Sequence, residues 1–178
     1  MSIKRVLFPG RFQPFHLGHL HAIKQLLQEY NEIIIGVGSA QEGFTCRNPF
    51  TAGERMEMIK YSLEEEKIDT HRVWIIPIPD LNKPLAWTSY VLGLIPKIDA
   101  IASGNPHVIM LYEWLKAGIK VRKINLYKPE IYNATIIRNL IANGLPWEDR
   151  VPLFVAKYIK EIGGDKRIAV LCTKNKYI

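Results

Sequence analysis

Two histidines three residues apart, His16 and His19, close the segment Gly10-Arg11-Phe12-Gln13-Pro14-Phe15-His16-Leu17-Gly18-His19. On one turn of a helix, side chains at i and i+3 project to the same side, so the pair can aim two imidazoles at one group. Arg11 adds a planar charged fork that matches phosphate oxygens. Gly10 permits a tight turn or the close approach of a ligand. Gly18 keeps a helix start bare, where exposed amides favour an anion. Together these residue types describe a cradle for a polyphosphate. Two imidazoles at this spacing also suit a metal ion, but no cysteine or carboxylate stands in the loop to complete a site, and no metal ligand is assigned. Each histidine alone is an ordinary polar residue. His21, two positions further on, faces elsewhere and reads as structural or exposed. The segment matches neither GxxxxGK[ST] nor GxGxxG.

Other residues of the same chemical character follow at loop after loop. Arg47 lies in a polar stretch, Asp80 closes Pro77-Ile78-Pro79-Asp80, and Trp87 stands seven residues beyond it. Gly104, Asn105 and Pro106 make a turn, and Thr135 and Arg138 stand three apart near Asn133. Taken singly, these residues are a solvated arginine, a turn or cap carboxylate, a packed tryptophan, a plain turn and a capped helix.

The elements that must position them alternate. Residues 3–8, 32–38, 73–78, 98–102 and 119–124 are short apolar runs that read as strands. The run at 32–38 is nearly continuous, as expected of a parallel strand covered on both faces. Helical spacing falls over 17–30, from Thr51 to about Glu66, and over 86–95, 107–117, 134–143 and 151–161. Thr51 and Glu54 form a capping-box pattern. The alternation predicts an α/β protein with one doubly wound, Rossmann-like parallel sheet, and ligands in such sheets bind at the carboxyl ends of the strands. The spacing places the crevice over the first and fourth strands. Beyond Gly164 the pattern fades. Lys157, Lys160, Lys166, Arg167, Lys174 and Lys176 against Glu161 and Asp165 read as a solvated basic tail.

The chain has 178 residues, 48% hydrophobic and 23% charged, with a formal net charge of +7. That length suits one domain, 1–178, with a core large enough to fold without a disulfide or structural metal. The charge favours an anionic partner, and both nucleic acid and a nucleoside triphosphate qualify. Cys46 and Cys172 have neither metal-ligand nor redox spacing; a disulfide between them is open to the sequence but not indicated, and the plain reading is two buried thiols. No stretch reaches 18 apolar residues and the N-terminal run is too short for a signal peptide, so the expectation is a cytoplasmic chain without a membrane partner.

The HxGH element after a first strand resembles the nucleotidyltransferase superfamily. The longer GRFQPFHLGH looks like the archaeal-type nicotinamide-nucleotide adenylyltransferases. The resemblance continues through GSAQ at 38–41, RNPFTAGER at 47–55, PIPD at 77–80, Trp87, SGNP at 103–106 and YNATIIR at 132–138, covering roughly residues 1–160. It implies transfer of an adenylyl group from ATP to nicotinamide mononucleotide (NMN), giving NAD and pyrophosphate. It implies phosphate contacts from Arg11, His16, His19 and Arg138 as the catalytic set. Gly10, Phe12, Gln13, Gly18, Ser39, Arg47, Asp80, Trp87, Gly104, Asn105, Pro106, Asn133 and Thr135 complete the implied nucleotide site. Thr135 and Arg138 match the family's closing motif ISxTxIR, whereas Asn133 replaces its usual serine. It also implies Mg²⁺ carried on the ATP phosphates, a homo-oligomer, and no nucleic-acid partner. The rival readings are adenylyl transfer to nicotinate mononucleotide, FMN or phosphopantetheine, a non-catalytic nucleotide or RNA binder, and a structural assembly protein. GRFQP rather than GTFDP favours the nicotinamide branch, and no RNP-type aromatic motif supports RNA binding.

Overall fold

The computed structural model describes residues 3–115 and 118–173. The elements run β1 (Arg5–Gly10), α1 (Leu17–Glu29), β2 (Glu32–Val37), α2 (Ala52–Glu65), β3 (Val73–Pro77), α3 (Pro84–Leu94) and β4 (Ala100–Ser103). They continue with α4 (Pro106–Leu115), β5 (Lys120–Lys123), α5 (Ala134–Ala142), α6 (Leu153–Glu161) and α7 (Gly164–Thr173). The five strands form one parallel sheet in the order β3-β2-β1-β4-β5. β1 and β4 are neighbours although far apart in sequence, so the winding reverses between them. That reversal is where open parallel sheets bind ligands.

Strand alternation divides the interior into two cores. Val6, Phe8, Ile33, Ile35, Ala100 and Ala102 face one, shared with residues of α1, α2, α5, α6 and α7. Leu7, Ile34 and Ile101 face the other, packed against Val91 of α3 and Tyr112 of α4. β1 and β2 are apolar on successive residues because helices cover both faces. The capping box at α2 forms as its sequence predicts: the Glu54 amide donates to Thr51 Oγ1 at 3.2 Å, and the Thr51 amide donates to Glu54 Oε2 at 2.8 Å.

Two expectations fail. The basic stretch is not a loose tail up to Thr173, because it forms α6 and α7, although Lys157, Lys160 and Lys166 are exposed as expected. Ile168 is buried in the larger core. Arg167 forms a two-pronged pair with Glu54 at 2.8 Å and donates to the Pro49 carbonyl at 3.1 Å. Lys174 and Lys176 lie outside the described residues. Nor are Cys46 and Cys172 separate thiols: they form a disulfide across 126 residues of sequence. Folding of α7 against the 44–50 loop brings together two cysteines that spacing alone could not pair. No helix among the described residues is long and apolar enough to cross a membrane.

Candidate active site

The loop from β1 to α1 is held from within. The Gln13 amide group clasps the backbone of Phe50: Nε2 donates to its carbonyl at 2.8 Å, and Oε1 accepts from its N–H at 3.0 Å. Gln13 is therefore an anchor of the loop, with both ends of its amide engaged. Phe12 has a positive φ of 52° and is fully buried. Its ring lies 4.7 Å from His19, edge to face, and 5.8 Å from Phe8. A Cβ on Gly10 would sit 2.9 Å from Phe12 Cζ. Phe12 thus packs where a side chain at position 10 would stand, and Gly10 itself lines the cleft. A Cβ on Gly18 would stand 3.0 Å from Tyr132 Cβ and 3.1 Å from the His16 ring. At Gly104 it would meet Leu126 Cδ2 at 2.6 Å.

His16 is the N-cap of α1, and its ring does the capping. The His19 N–H donates to His16 Nδ1 at 3.3 Å, and the His16 N–H donates to His19 Nδ1 at 3.3 Å. The two rings stack with centroids 3.5 Å apart. Because each Nδ1 accepts a hydrogen bond, each neutral ring carries its proton on Nε2. Burial pushes the His16 pKa down to about 3 and that of His19 well below its ordinary value, and at His19 the neighbouring His16 ring lowers it further. The pair therefore offers two neutral N–H donors on the edges opposite the cap. His21, by contrast, stacks on Tyr127 at 4.2 Å, a structural role.

Three guanidiniums gather around these donors. Arg138 is 6% exposed, donates to the Gln13 carbonyl at 2.7 Å and reaches Thr135 Oγ1 at 3.2 Å. Burial, then the charges of Arg11 and Arg47, pull its pKa down to about 10. Arg11 is also lowered, by burial first and by Arg47 second, with Asp80 acting in the opposite direction. Partly buried guanidiniums within one another's field suit an anion. Asn133 caps α5, its Oδ1 accepting from the Thr135 N–H at 2.9 Å. Its side chain is thereby committed to the helix.

The cleft has two lobes. One, of about 350 Å³, is lined by His16, His19, Arg11, Thr135, Arg138 and the rings of Tyr127 and Tyr132. The other, of about 520 Å³, is lined by Ser39, Arg47, Asp80, Trp87 and His107. Arg11, His19, Gly104 and Asn105 line both. The crevice thus lies over β1 and β4, as the sequence predicts. Asp80 accepts from Ser39 Oγ at 2.6 Å and from the Ser39 N–H at 3.3 Å, so these two residues act as one unit. Trp87 packs beside the smaller core. Asn105 Oδ1 accepts from the His107 N–H at 3.0 Å, which fixes the start of α4 at Pro106.

Sequence reasoning missed the tyrosine wall of the first lobe, Tyr127 stacked on Tyr132 at 5.4 Å. It also missed the buried Arg55. A signal for Arg55 was present, since it precedes the buried Met58, Ile59 and Ser62 at helical spacing.

A parallel sheet with an HxGH turn over its reversal point, opening on a cation cluster shared by two lobes, defines a nucleotidyltransferase. The cytidylyltransferase-like family model matches residues 7–140. A nicotinamide-nucleotide adenylyltransferase of Sulfolobus acidocaldarius is 47% identical over 174 residues, covering 97% of this chain and 98% of that protein. That of Pyrococcus furiosus is 45% identical over 172 residues, covering 96% and 90%. A crystal structure of a bifunctional NMN adenylyltransferase/ADP ribose pyrophosphatase from Francisella tularensis superposes with a TM-score of 0.81 at 26% identity. The match covers 99% of this chain but 54% of that protein, so this chain spans about half its length. The chain belongs to the archaeal-type nicotinamide-nucleotide adenylyltransferases of the cytidylyltransferase-like family.

Proposed function

We infer that the chain transfers the adenylyl group of ATP to NMN, forming NAD and pyrophosphate. The observation that carries the reading is the pair of lobes meeting at Arg11 and His19. ATP takes the lobe of Arg138 and Thr135, and NMN takes the lobe of Asp80 and Trp87, with Gly104 and Asn105 bordering both. The phosphates of both then converge where the lobes meet. An NMN phosphate oxygen forms a bond to the α-phosphorus as the bond from that phosphorus to the bridging oxygen breaks, and pyrophosphate leaves with the electron pair. A phosphate is already nucleophilic, so no residue need act as nucleophile or general base. The protein's task is alignment and charge neutralisation. His16 and His19 donate from Nε2; Arg11, Arg47 and Arg138 offset the charge that grows on pyrophosphate.

The residues fit a divalent ion only as a passenger on the triphosphate. Asp80 is the one carboxylate among the residues lining the two lobes, and the described residues hold no cluster of three or more His, Cys, Asp or Glu side chains suited to an ion. Bound there, Mg²⁺ supplies Lewis acidity. The family resemblance further supports one domain over 1–178 and a cytoplasmic homo-oligomer, whose mass light scattering measures.

The decisive test is adenylyl transfer compared across NMN, nicotinate mononucleotide, FMN and phosphopantetheine. NMN is expected to give the highest kcat/KM. A higher value for another acceptor, or no transfer to any, overturns the reading.

A further inference from the structure

Arg55 is a cation beneath the site, with 0% of its surface exposed. Its hydrogen bonds all go to carbonyls. Nη1 donates to Arg11 at 2.8 Å and to Gly38 at 2.6 Å, Nη2 donates to Ser39 at 3.1 Å, and Nε donates to Thr51 at 3.1 Å. Among the described residues no carboxylate lies within ion-pair distance of it. The carbonyls belong to separate loops. Arg11 follows β1; Gly38 and Ser39 follow β2. The two strands run side by side as far as Gly10 and Val37, and a last backbone bond joins the Gly38 N–H to the Gly10 carbonyl at 2.8 Å. Beyond it the loops diverge, and the guanidinium spans the gap. On one side stands Arg11, which lines both lobes. On the other stands Ser39, which holds the Asp80 carboxylate.

We propose that Arg55 is a positioning residue for adenylyl transfer, its guanidinium locking the Arg11 loop to the Ser39 loop so that the two lobes keep a fixed separation. Fold maintenance alone does not explain the residue type. A neutral donor could satisfy carbonyls, whereas an unpaired buried cation beside Arg11 is costly to keep. Burial and the neighbouring Arg11 bring its pKa down to about 10, although the charges of Asp80 and Glu54 act in the opposite direction. A planar fork is also the group that can bond to two loops at once, because its donors lie at fixed angles. Incoming phosphates compensate the excess positive charge, so its cost falls when the site fills.

The proposal rests on the reading that both substrates' phosphates meet at Arg11. The test is Arg55→Lys, which keeps a cation and donors but loses the fork. The variant is expected to fold, to raise KM for ATP and NMN together by about tenfold, and to lower kcat by on the order of a hundredfold through misalignment. A variant with a lowered Tm but with kcat and both KM values within twofold of the wild type overturns the proposal in favour of a purely structural role. Wild-type protein without adenylyl transfer would instead overturn the functional reading itself. Should Arg55→Lys fail to fold, amide exchange on the wild type decides. Inorganic tripolyphosphate should slow exchange in residues 38–41 together with residues 10–13. Protection confined to 10–13 means that the loops are not locked, and overturns the proposal.

Discussion

The two lobes of the cleft are built by opposite means. In the first, the polar groups are fixed before any nucleotide arrives. His16 and His19 hold each other through reciprocal backbone bonds, and Arg138 is pinned to the Gln13 carbonyl and to Thr135. In the second, Arg47 and Asp80 are exposed, and Trp87 is only half-buried against the smaller core. Pre-fixed dipoles stabilise charge as it develops, since they need no reorganisation at the moment of reaction. Exposed groups and an aromatic face instead sort one base from another. On the proposed function, the first lobe is then the one that acts on the transition state, and the second the one that chooses the acceptor.

The largest effect should come from the fixed lobe. His19→Ala removes one preorganised donor, which costs about 3–4 kcal/mol, or a few hundredfold in kcat. Steady-state kinetics with a folded variant of normal Tm checks it; normal turnover would erase the distinction between the lobes. The histidines also predict a pH dependence. The folded His16 has a pKa near 3 against an ordinary 6.5, so below 6.5 the unfolded chain binds more protons than the native one. The contribution of this group to stability is therefore full above about pH 6.5 and is lost progressively as pH falls from there toward 3. The direction for His19 is the same. Substrate-free Tm measured across that range should fall on the acid side, and less steeply in His16→Asn.

What the sequence made legible follows the range over which each interaction acts. Strand alternation, the Thr51–Glu54 cap and the placement of the first loop over the β1–β4 reversal depend on neighbours or on sheet-wide rules, and all are found. Gly10 announced that something approaches the backbone there but not what; its neighbour in the fold is the ring of Phe12. The disulfide joins residues 126 apart, and α7 buries too narrow an apolar strip to announce itself. Arg55 had the spacing of a core residue but the charge of a surface one, and tertiary carbonyls decided between them.

A smaller effect is expected in the choosing lobe. Trp87 offers a π-face suited to a cationic pyridinium ring. Base–aromatic stacking measured by alanine substitution amounts to about 1–3 kcal/mol. Trp87→Ala should therefore weaken NMN binding by roughly five- to 160-fold while leaving ATP binding less affected. Calorimetric titration with each nucleotide reads both values. Equal losses for the two would show that Trp87 supports the whole cleft, and the two lobes would no longer differ in kind.

The smallest effect belongs to Asp80. Its negative charge disfavours nicotinate, whose ring bears a carboxylate, relative to the uncharged amide of nicotinamide. The charge is exposed, so water and salt weaken its field and the contribution to selectivity is a few-fold, not orders of magnitude. The residue also accepts two hydrogen bonds from Ser39, and a substitution must separate that contact from the charge. Asp80→Asn keeps one oxygen to accept from Ser39 Oγ but removes the charge and places an NH2 group opposite the Ser39 N–H; Ser39→Ala retains the charge and the backbone bond and removes the hydroxyl donor. The ratio of kcat/KM for NMN over nicotinate mononucleotide should fall in Asp80→Asn and change less in Ser39→Ala. In the wild type the same ratio should shrink as ionic strength rises, because the Debye length contracts to about 3 Å at 1 M salt. A ratio that ignores salt yet collapses in Ser39→Ala would assign the choice of acceptor to the shape of the Ser39–Asp80 unit instead of its field.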